Sequence, residues 1–588
     1  MLAMALGFVK VVVLLLVVGG TRADSSIASP LQDPYPYFFP PIEYADTPGL
    51  FPMPQCRGVE LEEATVDQLQ SAMNNGQLTS AQLLKCYLKR VQQVDGYINS
   101  IIELNPDAED IAIAMDEERA QNISRGPLHG IPFVVKDNIA TKDQMETTAG
   151  SWMLLGSVVP RDAFIVSKLR EAGAVLMGKA TLSEWADMRS NSYSEGYSAR
   201  GGQARSPYNL TLNPGGSSSG SAAAVAANVA AFSIGTETDG SVISPAERNA
   251  LVGIKPTVGL TSRAGVIPES VHQDTVGIFG RTVRDAAYAF NAIYGIDPRD
   301  NYTSAQLGNT PEQGYIPFLA NRTALRNATF GVPWSSFWIH ADQVQRETLT
   351  TLLTLLSSAG ATIINNTELP NYKTIVSQDG WDWDYGNTAR NRPNESEYTV
   401  VKVDFYNNIK EYLSELENTN IRSLEDIVAY NYANDGSEGG YPYPAGIPAF
   451  RSGQDGFLAS LATKGEMNET YYQALEFVQR STREEGIDAA LANQGRELDA
   501  LLVPSDVGQS YQIAAQAGYP MITLPAGLNG NTGMPFGLGL MGTAWSEGGL
   551  LKWASAIEDL QGSSGMGGGR TLPKWHGYLE RNIPVRNL

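Results

Sequence analysis

The sequence predicts an α/β protein: a sheet with helices packed on it. Three observations carry that reading. From about residue 130, short apolar runs alternate with amphipathic helical stretches. Strand-like runs return late in the chain, as LDALLVPS and MITLPAGL, after a long interval without them. Hydrophobic residues make up 43% of the 588, enough for a large core, so disorder is not the reading.

Taken in order, the first 23 residues put one basic residue, Lys10, ahead of the apolar run Val11 to Val18 and end in small residues near Ala23. That is the pattern of a cleaved secretory signal. A spanning helix needs roughly 20 uninterrupted apolar residues, and Lys10 divides this stretch well short of that. Residues 24–60 are rich in proline and aromatics and predict an extended surface arm. Thr65 and Thr79 each precede a glutamine by three residues, Gln68 and Gln82, the spacing of a capping box that opens two helices. Strands are expected at IPFVV, AVLMG and VAAFSIG, with helices over AFIVSKLREAG and AAAVAANVAA. Residues 61–569 are read as a single catalytic domain carrying a less regular insert over about 296–495, with 570–588 as a tail. Insert residues Trp381, Trp383 and Tyr385 form an aromatic cluster suited either to core packing or to a substrate wall.

The formal net charge of −21, without any basic run, disfavours nucleic acid as a partner. No membrane association is expected once the signal is removed, and composition leaves the oligomeric state open. Eight glycan acceptor sequons, at Asn122, Asn209, Asn301, Asn321, Asn327, Asn365, Asn394 and Asn468, accord with a secreted, extracellular eukaryotic glycoprotein. Cys56 and Cys86 are the only cysteines and are able to pair in an oxidising compartment or to remain free.

Several motifs fail on physical grounds. Gly173 to Lys179 spells GxxxxGK, but Ala180 follows in place of the magnesium-binding hydroxyl, and AVLM is a buried-strand sequence. Gly216 to Gly220 fits GxSxG with Ser218 at its tip, yet turn-forming residues precede it where an elbow needs a strand. No His pair or His/Cys pair has metal-ligand spacing, so no metal and no cofactor is expected. What remains is GIPFVVKDN with Lys136, the serine loop GGSSSGS, and GTETDGS with Ser241. A lysine buried after an apolar run loses its preference for the ammonium form and becomes a base near neutral pH. Successive backbone N–H groups around Ser241 are placed to converge on an oxyanion.

These segments, with GIKPTVGLTSR after them, resemble the amidase signature family over about residues 69–285 and again over about 498–559. The resemblance implies a large mixed sheet covered by helices on both faces. It makes Lys136 the base, Ser217 a bridging serine in a cis peptide and Ser241 the nucleophile; the two serines are 24 residues apart, the family separation. Backbone N–H groups of Thr238, Asp239, Gly240 and Ser241 would form the oxyanion hole, with Ser218, Trp381 and Trp383 as substrate contacts. The chain departs from the commoner GTDTGGSIR in placing Asp239 where glycine is usual and in lacking an arginine after the nucleophile. It is most similar to the peptide-amidase-like branch and to fungal secreted amidases. The expected activity is a serine amidohydrolase acting on linear carboxylic or peptide C-terminal amides, with a small-molecule or peptide amide as substrate. Rival readings are a fatty-acid or aryl amide hydrolase, a transamidating subunit acting on charged transfer RNA, and a non-catalytic secreted glycoprotein of the same fold.

Overall fold

The computed structural model describes residues 39–385, 390–438, 453–492, 495, 497–564, 569–580 and 585–586. The signal segment, the start of the arm and the Gly/Pro/Tyr loop over 439–448 lie outside them. Thirteen strands occur among the described residues: β1 (Ile101–Leu104), β2 (Pro132–Lys136), β3 (Val175–Ala180), β4 (Tyr197–Ser198), β5 (Gly202–Gln203), β6 (Phe232–Glu237), β7 (Val252–Lys255), β8 (Thr275–Gly280), β9 (Thr329–Val332), β10 (Thr362–Asn365), β11 (Ala500–Pro504), β12 (Met521–Leu528) and β13 (Pro535–Met541).

Eleven of them form one sheet in the order β1-β3-β2-β6-β8-β7-β12-β13-β11-β9-β10, and β4 pairs with β5 apart from it. The pairs β3/β2, β2/β6, β11/β9 and β9/β10 are parallel and the others antiparallel, so the sheet is mixed as expected. Strands β2, β3, β6, β8, β11 and β13 are buried at every position. Because alternate side chains face opposite sides of a sheet, this burial means that both faces are covered.

Both capping boxes form, opening the helices Val66–Asn74 and Ser80–Ile98. The alanine-rich helix, Ser219–Ala226, lies against the sheet so closely that a Cβ on Gly220 would come within 2.5 Å of backbone atoms of Ser100 and Thr181. Small side chains make that approach feasible, which is why the serine loop is held firmly rather than serving as a linker.

Two expectations need correction. The insert is more regular than its sequence suggests: β9 and β10 extend the main sheet, and helices span Gln343–Ser358, Glu397–Glu415 and Glu469–Thr482. Strands of four residues are too short to establish a readable period. The arm is also not wholly superficial, since Phe51 is fully buried with its ring 4.8 Å from both Tyr97 and Trp575. Phe51→Ala is therefore expected to lower stability by about 3–5 kcal/mol, the usual cost of emptying a buried aromatic site, measured by urea unfolding.

Candidate active site

β2 and β6 are parallel neighbours, so their C-terminal ends open on the same side of the sheet. Open α/β sheets present ligand sites at such ends. Lys136 closes β2, Thr236 is the penultimate residue of β6, and Ser241 lies four residues beyond the end of that strand. The loop before the helix Ser219–Ala226 brings Ser217 between them, through a cis Gly216–Ser217 peptide bond.

The three residues form a continuous line. Lys136 Nζ is 2.7 Å from Ser217 Oγ, and Ser217 Oγ is 3.0 Å from Ser241 Oγ. Lys136 Nζ also meets Thr236 Oγ1 at 2.9 Å and the Thr236 carbonyl at 3.4 Å. A neutral amine has two N–H donors and one lone pair. The two Thr236 oxygens can take the donors, leaving the lone pair to accept from the Ser217 hydroxyl. Burial pushes Lys136 down to about 8, against the opposing pull of Glu269, Asp187, Glu195 and Asp274.

Burial alone does not single out this lysine. Lys179 on β3 and Lys255 on β7 are equally buried and are likewise pushed down to about 8 by burial. Lys179 Nζ donates to the Ile139 carbonyl and Thr147 Oγ1, and Lys255 Nζ to the carbonyls of Tyr519 and Pro256. Of the three, Lys136 alone reaches a serine.

Ser241 opens into a cavity of about 210 Å³. Trp381 and Trp383 line it, their rings 5.2 Å apart, and Trp383 stacks on Tyr398 at 4.6 Å. The aromatic cluster is thus both wall and packing, while Tyr385 is buried with its hydroxyl donating to Gln516. Ser218 does not join the wall. It is fully buried, and its hydroxyl donates to the Thr236 carbonyl and accepts from the Thr236 N–H, so the residue braces β6 instead.

Beyond Ser241, the nucleophile loop is shaped by Glu237. Its buried carboxylate accepts from the N–H groups of Val242 at 2.7 Å and Ile243 at 2.9 Å. The N–H groups of Thr238, Asp239 and Ser241 have no acceptor among the described residues. Four carboxyl groups, Asp187, Glu195, Asp239 and Glu269, line the cavity, and no lining residue is lysine or arginine. Burial raises all four, Glu195 to about 8 and Asp187 to about 6. None except Asp239 is signalled by a sequence pattern: Asp187 ends a four-residue 3₁₀ turn, Glu184–Asp187, and Glu195 and Glu269 come from irregular loops.

Comparison with known proteins identifies the family. The profile of the family described as Amidase matches residues 82–434. The chain belongs to the amidase signature family. A Schizosaccharomyces pombe protein named as an amidase is 58% identical over 551 residues, covering 92% of each chain. An Arabidopsis thaliana protein named in the same way is 41% identical over 85% of this chain and 90% of its own. Among solved structures, the native peptide amidase of Stenotrophomonas maltophilia superposes with a TM-score of 0.75 at 39% identity, over 87% of this chain and 98% of that one. This protein is an amidase.

Around the amidase core, Cys56 and Cys86 are joined as a disulfide. Asn122, Asn301, Asn321, Asn327, Asn365, Asn394 and Asn468 are exposed. Asn209 is half-buried, and its Nδ2, the atom a glycan would occupy, donates to the Thr532 carbonyl at 2.8 Å. Asn209 also lies outside the cavity wall.

Proposed function

We propose that this amidase is a secreted serine hydrolase that cleaves linear carboxylic amides, foremost the C-terminal amide of a peptide, through an acyl-enzyme on Ser241. The observation that carries the reading is the unbroken line from Lys136 Nζ through Ser217 Oγ to Ser241 Oγ at the cavity floor. Neutral Lys136 takes the Ser217 proton as Ser217 takes that of Ser241, and Ser241 Oγ bonds to the amide carbon. The backbone N–H groups of Thr238, Asp239, Gly240 and Ser241 are assigned to the resulting oxyanion. Collapse of the intermediate breaks the C–N bond, and the proton returns through Ser217 to the departing nitrogen, which leaves as ammonia or amine. Water, activated by the same line of groups, then releases the acid and restores Ser241.

The likeness to a peptide amidase and the paired indoles of Trp381 and Trp383 support a peptide-like acyl group. A cavity of 210 Å³ is smaller than the roughly 300–1,000 Å³ of sites for drug-sized ligands and does not favour a long acyl chain. The carboxyl-lined wall offers no cation to an anionic substrate, and burying an unpaired charge is costly. An amide with a carboxylate one residue from the scissile bond is therefore expected to react at least ~10-fold more slowly than its neutral isostere, in kcat/KM.

Ammonia release from a panel of peptide, acyl and aryl amides, by wild type and by Ser241→Ala, tests the reaction. Release from peptide amides by wild type alone is expected, and equal release by the variant would reject the assignment. Secretion rests on the N-terminal pattern and the exposed sequons. Protein recovered from culture medium should begin just after Ala23, and an intact Met1 would reject the cleaved signal.

A further inference from the structure

Asp239, placed where the family usually has glycine, is engaged on two sides. Its Oδ2 accepts from Trp381 Nε1 at 2.5 Å, and its carboxyl also hydrogen-bonds to that of Glu397. Glu397 is fully buried at the first turn of the helix Glu397–Glu415, about 160 positions along the chain from Asp239. Three amides hold it: Gln273 Nε2 donates to Oε1 at 2.7 Å, and Gln516 and Gln512 donate to Oε2 at 2.9 and 3.2 Å. Gln273 Nε2 also lies 3.2 Å from the Thr238 carbonyl. Glu397 thus grips two consecutive residues of the nucleophile loop, Asp239 directly and Thr238 through Gln273.

Two carboxyl groups in contact hydrogen-bond only when one of them carries a proton. Three amide donors favour the ionised form of Glu397, so the proton belongs to Asp239. This accounts for Asp239 Oδ1, which is buried and receives no donor among the described residues. Burial and the neighbouring Glu397 both hold the Asp239 carboxyl well above the usual carboxylate range. Around the pair stand Glu237 from β6, which adds repulsion, Lys255 from β7, which opposes it, and the phenols of Tyr385 and Tyr511, both raised by burial.

We propose that Glu397 is a positioning residue for amide hydrolysis, holding the Thr238–Asp239 backbone beside Ser241 through its hydrogen-bonded pair with Asp239 and through Gln273. The inference rests on the assignment of the Thr238 and Asp239 N–H groups to the oxyanion. It explains how this branch uses a carboxyl where glycine is usual: the side chain is an anchor for the loop. It also couples catalysis to the pair's proton, since two adjacent carboxylates repel and release the loop.

The test compares wild type, Glu397→Gln and Glu397→Ala by thermal melting and by kcat and KM between pH 6 and 10 on a peptide amide. Glu397→Ala is expected to lose about 10²-fold in kcat, the scale of a lost oxyanion donor, with KM changed less than about threefold. Glu397→Gln keeps an amide donor toward ionised Asp239, so it should recover most of kcat and lose any alkaline decline shown by wild type. A kcat for Glu397→Ala within about twofold of wild type would overturn the proposal. So would a Glu397→Gln enzyme that melts normally but is as slow as Glu397→Ala, and the Gln variant remains informative if the alanine variant does not fold. Hydrolysis that persists in Ser241→Ala would instead reject the serine mechanism, a failure distinct from these.

Discussion

Ser241→Ala is expected to abolish amide hydrolysis, with kcat falling by at least ~10⁴-fold while the protein melts as wild type does. The hydroxyl is the only group of the Lys136–Ser217–Ser241 line that lines the cavity, so its removal leaves the base and relay with nothing to activate. Little structural cost is expected, because among the described residues that hydroxyl bonds only to Ser217, whose Oγ keeps Lys136 Nζ at 2.7 Å. Substrate binding should survive, since the aromatic wall and the carboxyl groups are untouched. Single-turnover measurements should show loss of the acyl-enzyme burst. A variant retaining a tenth of wild-type kcat would place the nucleophile elsewhere.

The Lys136–Ser217–Ser241 line was legible in the sequence because each member lies in a local motif that resembles the family's. Ser217 and Ser218 show what local sequence does not decide: both sit in one serine run, yet one hydroxyl faces Lys136 and the other is tied to the backbone of Thr236. Thr236 itself, which takes two of the three contacts of Lys136 Nζ, lay unremarked inside a strand motif. The acidic wall was less legible still, since Asp187, Glu195 and Glu269 come from a short 3₁₀ turn and loops without hydrophobic period and meet only when the sheet is assembled. Glu397 belongs to the same class, its partners being drawn from the loop after β6, the loop before β8, and the helix Gly508–Ala517. The sheet core was easy to read because continuous apolar strands mark themselves, whereas the four-residue strands β9 and β10 did not.

Lys136→Met is expected to cost a similar factor, at least ~10⁴-fold in kcat/KM, and to remove the rising limb of the pH profile. The sign follows from the role: the base must be neutral, and the group titrates near 8. Below that pH the neutral fraction of wild type falls about tenfold per unit, so kcat/KM should climb from acid pH and level off above about 8. Lys136→Arg should be inactive even at pH 9, because a guanidinium stays charged there. Glu269 favours the ammonium form of Lys136, so Glu269→Gln should move the limb toward acid pH. Lys179→Met supplies the control: Lys179 is as buried and is also pushed down to about 8, but it bonds to Ile139 and Thr147. Its loss should lower stability and leave the limb where it was. A flat wild-type profile down to pH 4, or a limb that moves with Lys179 and not with Lys136, would defeat the assignment, because it is contact with Ser217 that distinguishes these two lysines.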